Sequence, residues 1–162
     1  NHFEVDTKWN LSVYDRENGT HEPLAVTEKT EWGPRISPDD KWVAFTKDIT
    51  GGAYEVFVIP IDGGIPQQIS FSNGLEPVWA ADGKELIYRE SRKLIGRKLK
   101  NSTVLSFGKP YVIYKGDFLG IPGHSYDASP DGKRFLVVKE VYPQGDSQKL
   151  KIITHWSSKF KN

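Results

Sequence analysis

The chain of 162 residues contains no cysteine. That excludes disulfides, thiolate nucleophiles, zinc–thiolate sites and iron–sulfur clusters together. It leaves the compartment open, because a cysteine-free protein suits periplasm and cytoplasm alike. Long apolar runs are also missing. No window approaches the roughly 18 consecutive apolar residues of a membrane helix, so no membrane span is expected. Charge of one sign is scarce as well: the net charge is +1, which gives no global attraction to nucleic acid or an anionic surface. No stretch sustains a 3.6-residue apolar period, so long amphipathic helices are not expected. The chain opens at Asn1 with no basic segment leading into an apolar core, so no uncleaved signal peptide is expected. The lack of an initiating methionine fits removal of an upstream segment.

What the chain does have is aromatic residues and turn formers. Five Trp, seven Tyr and eight Phe favour strands over helices. Fifteen Gly and ten Pro are spread evenly, which supplies many turns rather than one disordered tract. Hydrophobic residues at 37 % and charged residues at 27 % are ordinary globular values, and a chain of this length buries about two thirds of its unfolded surface as one domain.

An internal repeat organises the chain. Ser37-Pro38-Asp39-Asp40 precedes the strand-like run Lys41 to Thr46, Ala80-Ala81-Asp82-Gly83 precedes Lys84 to Tyr88, and Ser129-Pro130-Asp131-Gly132 precedes Lys133 to Val138. The copies lie 43 and 49 residues apart, close to the ~40–45 residues of one four-stranded propeller blade. The turn has a mechanism: Pro presets φ, Asp bonds locally to the backbone, and Gly accepts the left-handed conformation that follows. Asp40 stands where the other copies have Gly, and Asp tolerates φ > 0 better than most residues. Ala81 in place of Pro makes the middle turn less preorganised.

Further strands are expected around each copy: Tyr54 to Ile59 and Gln67 to Ile69 after the first, with Asp62-Gly63-Gly64 between them. After the second come Leu94 to Leu99, a longer connection from Asn101 to Lys109, and Tyr111 to Tyr114. After the third come a turn at Pro143 to Asp146 and a strand from Leu150 to Trp156. Leu11 to Tyr14 and Leu24 to Thr27, flanking Asn18-Gly19, read as the last two strands of an incomplete blade. The expected fold is all-β, with antiparallel four-stranded blades and about three and a half of them in all. The boundaries are a partial blade 1–30, blades 31–70 and 71–116, and an incomplete blade 117–162, within a single domain. Val56 to Ile59 and Phe135 to Val138 are apolar at every position, so each sheet should be sandwiched between two others. A plain β-sandwich would show one polar face along its strands.

These residues resemble the TolB-like propeller repeat, a relative of the WD repeat. Pro77-Val78-Trp79-Ala80-Ala81-Asp82-Gly83 and Asp62-Gly63-Gly64 carry the resemblance, as do Gly108-Lys109-Pro110 and Tyr126 to Phe135, which look like the terminal blades of bacterial members. Lys149 to Trp156 resembles the strand with which such chains end. The resemblance implies a fold far more than a function: such propellers serve as periplasmic scaffolds, as gating domains of prolyl peptidases and in uronate lyases. It also implies six or seven blades for a closed ring, so this chain is expected to be a half-ring or to close its ring with a second copy. Open terminal blades otherwise expose apolar faces and strand edges.

Candidate chemistry is sparse. Gly123-His124-Ser125-Tyr126-Asp127 resembles a serine-hydrolase elbow but lacks its last Gly and a following helix. In a propeller, the segments leading into the innermost strands face the central channel, so Arg35, Glu76, His124, Tyr126 and Asp127 are expected to converge there as ligand- or partner-binding residues. A metal or a uronate-like anion would suit such a cluster, yet His2, His21 and His155 leave no His pair at ligand spacing. No metal and no cofactor are therefore expected. The basic run Arg89 to Lys100 lacks interleaved aromatics, so nucleic acid is not an expected partner, and its charges are expected on outer strands as edge protection. Trp42 and Trp79 read as core, Trp9 and Trp32 as candidate interface anchors. Three glycosylation sequons, starting at Asn10, Asn18 and Asn101, are read as chance matches.

The sequence reading is thus a non-enzymatic binding or scaffold module for a protein or small ligand. It would act through loops at one end of the ring (Gly33 to Arg35, Asn73 to Glu76, Gly123 to Asp127) and self-associate. The alternative is a channel-sited lyase or a hydrolase-associated propeller acting on a carbohydrate or peptide.

Overall fold

The computed structural model describes residues 9–119, 123–130 and 132–139. Their strands form four antiparallel groups in chain order, a partial propeller. The first is a hairpin of β1 (Leu11–Asp15) and β2 (Thr20–Ala25). The second is a complete blade, β3 (Glu31–Ile36), β4 (Trp42–Asp48), β5 (Tyr54–Pro60) and β6 (Gln67–Gln68), paired in that order. The third holds β7 (Gly74–Trp79), β8 (Glu85–Glu90), β9 (Lys93–Asn101), β10 (Ser106–Phe107) and β11 (Tyr111–Lys115). The fourth, as described, is the pair β12 (Tyr126–Ala128) and β13 (Phe135–Val137). The turn expected at Pro143 to Asp146 and the strand expected at Leu150 to Trp156 lie outside the described residues.

Three apolar layers hold the blades together, one between each neighbouring pair. Leu11 and Ala25 of the first sheet pack on Val43, Phe45 and Ile59 of the second. Ala44, Val56 and Val58 of the second pack on Trp79, Leu86 and Tyr88 of the third. Val78, Ile87 and Leu94 of the third pack on Tyr126 of the fourth. Adjacent residues of β4 therefore face opposite neighbours, which is why strands of the middle blades are apolar at successive positions. Each such side chain contributes about 1.5–3 kcal/mol on full burial. The last blade departs from this pattern: Leu136 is 75 % exposed, because no described residues cover the face that its counterparts Ala44 and Ile87 turn toward the next blade.

The repeated turn rests on more than its Pro and Gly. Ser37 Oγ accepts the Trp42 N–H at 3.0 Å and donates to Asp39 Oδ1 at 2.6 Å. Ser129 Oγ likewise accepts the Arg134 N–H at 3.0 Å. The middle copy has Ala80 there, and Asp82 Oδ1 alone receives the Lys84 N–H at 2.9 Å. Asp40 adopts φ +56°, the left-handed conformation expected of the Gly position.

Two boundaries differ from those read in the sequence. The second strand of the first hairpin starts at Thr20, not Leu24, because pairing runs unbroken from the turn and carries the polar Thr20-His21-Glu22 on an exposed outer strand. The connection between Asn101 and Lys109 contains β10, which pairs with the far end of β9 while β11 pairs with its near end. The basic run is also placed differently. Arg89 lies on the second strand of its blade and pairs with buried Glu76, and Arg97 donates to the carbonyls of Gly108 and Ile69.

Candidate binding site

The innermost strands share a local device. Pairing of β3 with β4 shifts between Trp32 and Arg35, and pairing of β7 with β8 shifts between Leu75 and Val78. Gly33 and Glu76 sit in these bulges with φ +64° and +57°, each four residues before the first residue of its turn. Ser125 holds the same place before the third turn. Glycine suits the left-handed region, whereas a glutamate there is strained and needs its surroundings to hold it.

Those surroundings come from three blades. The Glu76 N–H donates to Thr46 Oγ1 of the preceding blade at 3.3 Å. Its Oε1 accepts from Arg89 Nη2 of its own blade at 2.8 Å. Its Oε2 accepts from the Ser125 N–H at 2.9 Å and the Ser125 hydroxyl at 2.6 Å, both in the following blade. The Tyr126 hydroxyl donates to the Glu76 carbonyl at 2.6 Å and also lies 3.1 Å from the Ile87 carbonyl. Burial, followed by the Glu76 charge, pushes the Tyr126 hydroxyl well above its usual range, so it stays a proton donor. Glu76 is 1 % exposed and Ser125 fully buried.

Of the five residues expected to converge, Arg35, His124, Tyr126 and Asp127 line one cleft, and Glu76 is not part of its lining. Glu76 and Tyr126 are engaged in the frame. The cleft is open, about 310 Å³ in volume, and Leu136 and Val138 complete its lining as an apolar wall. His124 lies against the bulge of β3: a Cβ on Gly33 would stand 3.8 Å from its Nε2. Burial first, and then the Arg35 charge, lower the His124 pKa, against the opposing pull of Glu76 and Asp127. Among the described residues no group of three His, Cys, Asp or Glu is placed to hold a metal. The sequence did not single out Thr46, Arg89 or Ser125 as partners of Glu76. Ser125 had a visible signal, its position in the repeat, but the elbow-like motif drew attention to its hydroxyl as a nucleophile. That hydroxyl is buried on a carboxylate.

Two predictions follow from this geometry. Glu76→Ala leaves the 13 %-exposed Arg89 side chain without its partner and should cost about 3–5 kcal/mol. Ser125→Ala removes one buried hydroxyl donor and should cost about 1–3 kcal/mol. Urea denaturation of the two variants checks the order. For His124, a folded pKa below the ordinary imidazole value of 6.5 means that the unfolded chain binds its proton first as pH falls. Its contribution is thus present above pH 6.5 and is lost as pH falls through the folded value. Denaturation midpoints at stepped pH should fall on that side, and His124→Asn should flatten that part of the profile.

Comparisons with known proteins agree with the architecture. No protein-family model matches the chain. Over 85 residues, 48 % of the chain, it is 29 % identical to the uncharacterized peptidase YuxL of Bacillus subtilis, and the match spans 12 % of that protein's length. Among solved structures, TolB from Acinetobacter baumannii is similar at TM-score 0.60 and 20 % identity, covering 83 % of this chain and 33 % of that one. A putative TolB from Agrobacterium tumefaciens gives TM-score 0.51 and 16 % identity, covering 66 % of this chain and 42 % of that one. The chain thus spans less than half the length of each. The blades, their turns and these likenesses together show a TolB-like β-propeller fold, present here as part of a ring.

Proposed function

We propose that the chain is a non-enzymatic binding module that contacts a protein partner through one end of its partial ring. The observation that carries this is the grouping of exposed apolar side chains on the connections at that end. Antiparallel order places the segment before β1, the β2–β3, β4–β5 and β6–β7 connections, and the bulges of β3 and β7 at the same end. Trp9, Val26, Ile49 and Phe71 stand exposed there, Trp9 at 64 % and Phe71 at 72 %. Large apolar and aromatic residues on a rigid β-frame are what partner recognition uses. The opposite end offers Ile65 and Val104 on separate turns.

Self-association belongs to the same reading. Tyr14 on the first sheet and Leu136 on the last are exposed, and a second copy would cover such faces in closing a ring. A second reading, favoured by the partial likeness to a peptidase, is a propeller that accompanies a hydrolase. Buried Ser125 supports an accessory part in that case too.

The test is partner capture from a bacterial lysate with three proteins: the unaltered chain, Trp9→Ser with Phe71→Ser, and Ile65→Ser with Val104→Ser. A partner recovered with the first and third, and at least about tenfold less with the second, is expected. Equal recovery by all three would overturn the assignment of the contact end. Light scattering should give a mass above the monomer at micromolar concentration; a monomer there removes the self-association.

A further inference from the structure

We infer that the cleft between Arg35 and His124 is a subsite for a carboxylate group, presented by an acidic side chain of the protein partner. The inference rests on the ring-end contact surface proposed above and names the chemistry of its channel side. Two other arginines are engaged: Arg89 on Glu76, and Arg97 on the carbonyls of Ile69 and Gly108. Arg35 is not. Its guanidinium is exposed, its side-chain hydrogen bond runs to the carbonyl of Pro34 at 3.1 Å, and no carboxylate among the described residues pairs with it.

The backbone that carries this charge is fixed. Arg35 pairs with Ala44 across the sheet, and its carbonyl accepts the indole N–H of Trp79 from the next blade at 3.1 Å. Across the cleft, His124 Nδ1 is buried with no hydrogen-bond partner. The Arg35 guanidinium presents paired N–H donors that match the two oxygens of a carboxylate, and the imidazole beside it, its pKa lowered by burial and by Arg35, adds no competing anion. The charged groups facing His124 are Arg35, Asp127 and Glu76, and Glu76 is already paired. Asp127 lines the same cleft, with one oxygen accepting the Ala128 N–H at 2.9 Å. Its charge disfavours anions and disfavours a phosphate dianion more than a monovalent carboxylate, while Leu136 and Val138 offer a wall for an aliphatic stem. Glutamate fits this description better than a phosphorylated side chain.

The test follows the His124 ring resonances by NMR while glutarate, inorganic phosphate or chloride is added at matched ionic strength. Glutarate should shift the ring saturably and raise its titration midpoint, because a bound anion favours imidazolium. Arg35→Gln should weaken the response at least about tenfold, and Asp127→Asn should strengthen it. An unchanged urea midpoint for Arg35→Gln confirms that the fold is intact. A glutarate response no larger than that to chloride, or one that survives Arg35→Gln, would overturn the inference. Tighter binding of phosphate would overturn the choice of carboxylate. The two readings fail separately, since partner capture reports the apolar loops and this titration reports the cleft.

Discussion

A carboxylate buried in a β-protein survives only when its charge is paired and its lone pairs are met by donors. Glu76 meets that requirement with Arg89 of its own blade and Ser125 of the next, while its backbone N–H reaches Thr46 of the preceding blade, and the inner edge of the partial ring is built around it. Its backbone occupies a left-handed bulge and bonds to Thr46, its side chain bonds to Arg89 and Ser125, and its carbonyl receives Tyr126. Apolar packing between blades is non-directional and would tolerate some sliding of one sheet over the next. Hydrogen bonds from three blades to the backbone and side chain of one buried residue do not tolerate it. The register between the second, third and fourth sheets is set there.

A second buried glutamate works in the same way farther from the axis. Glu55 on β5 accepts from the Ser70 hydroxyl and from the N–H groups of Asn73 and Gly74, at 3.0 and 3.1 Å for the latter two. It fastens the connection between the second and third sheets to the sheet it leaves. Gly74 is required by that closeness, since a Cβ there would stand 2.1 Å from Ser70 Oγ. With the connection fastened, Phe71 is held outward on a rigid support instead of collapsing onto the apolar layer beneath. The proposed contact surface and the buried polar frame are thus two sides of one arrangement.

How much of this was legible in the sequence divides along the range of the interactions. Turns and strands are local, and Ser-Pro-Asp-Gly with its apolar runs disclosed the blades, their order and the left-handed residue at Asp40. Repeat spacing also shows that Arg35, Glu76 and His124 lie two to five residues before their turns, on the segments that lead into the turns. The division of labour among them was not legible. Glu76 and Arg35 are both charged residues just before a turn, and only the distant Arg89 and Ser125, 13 and 49 residues away, make one a frame residue and leave the other open. The exposure of Leu136 was likewise hidden, because an apolar run looks the same whether one or both faces are covered.

Gly33, Glu76 and Ser125 occupy one position of the repeat and do three different things there. The first clears space beside an imidazole, the second collects bonds, and the third supplies them. Units that look alike by their turns are therefore not interchangeable parts. Duplicating the middle blade, or exchanging it with its neighbour, would set one acid against another or a bare glycine against an acid, with the ladders themselves intact. The order of the blades is carried by what each hands to the next, so the outer surfaces of this chain can vary while its sequence of neighbours stays fixed.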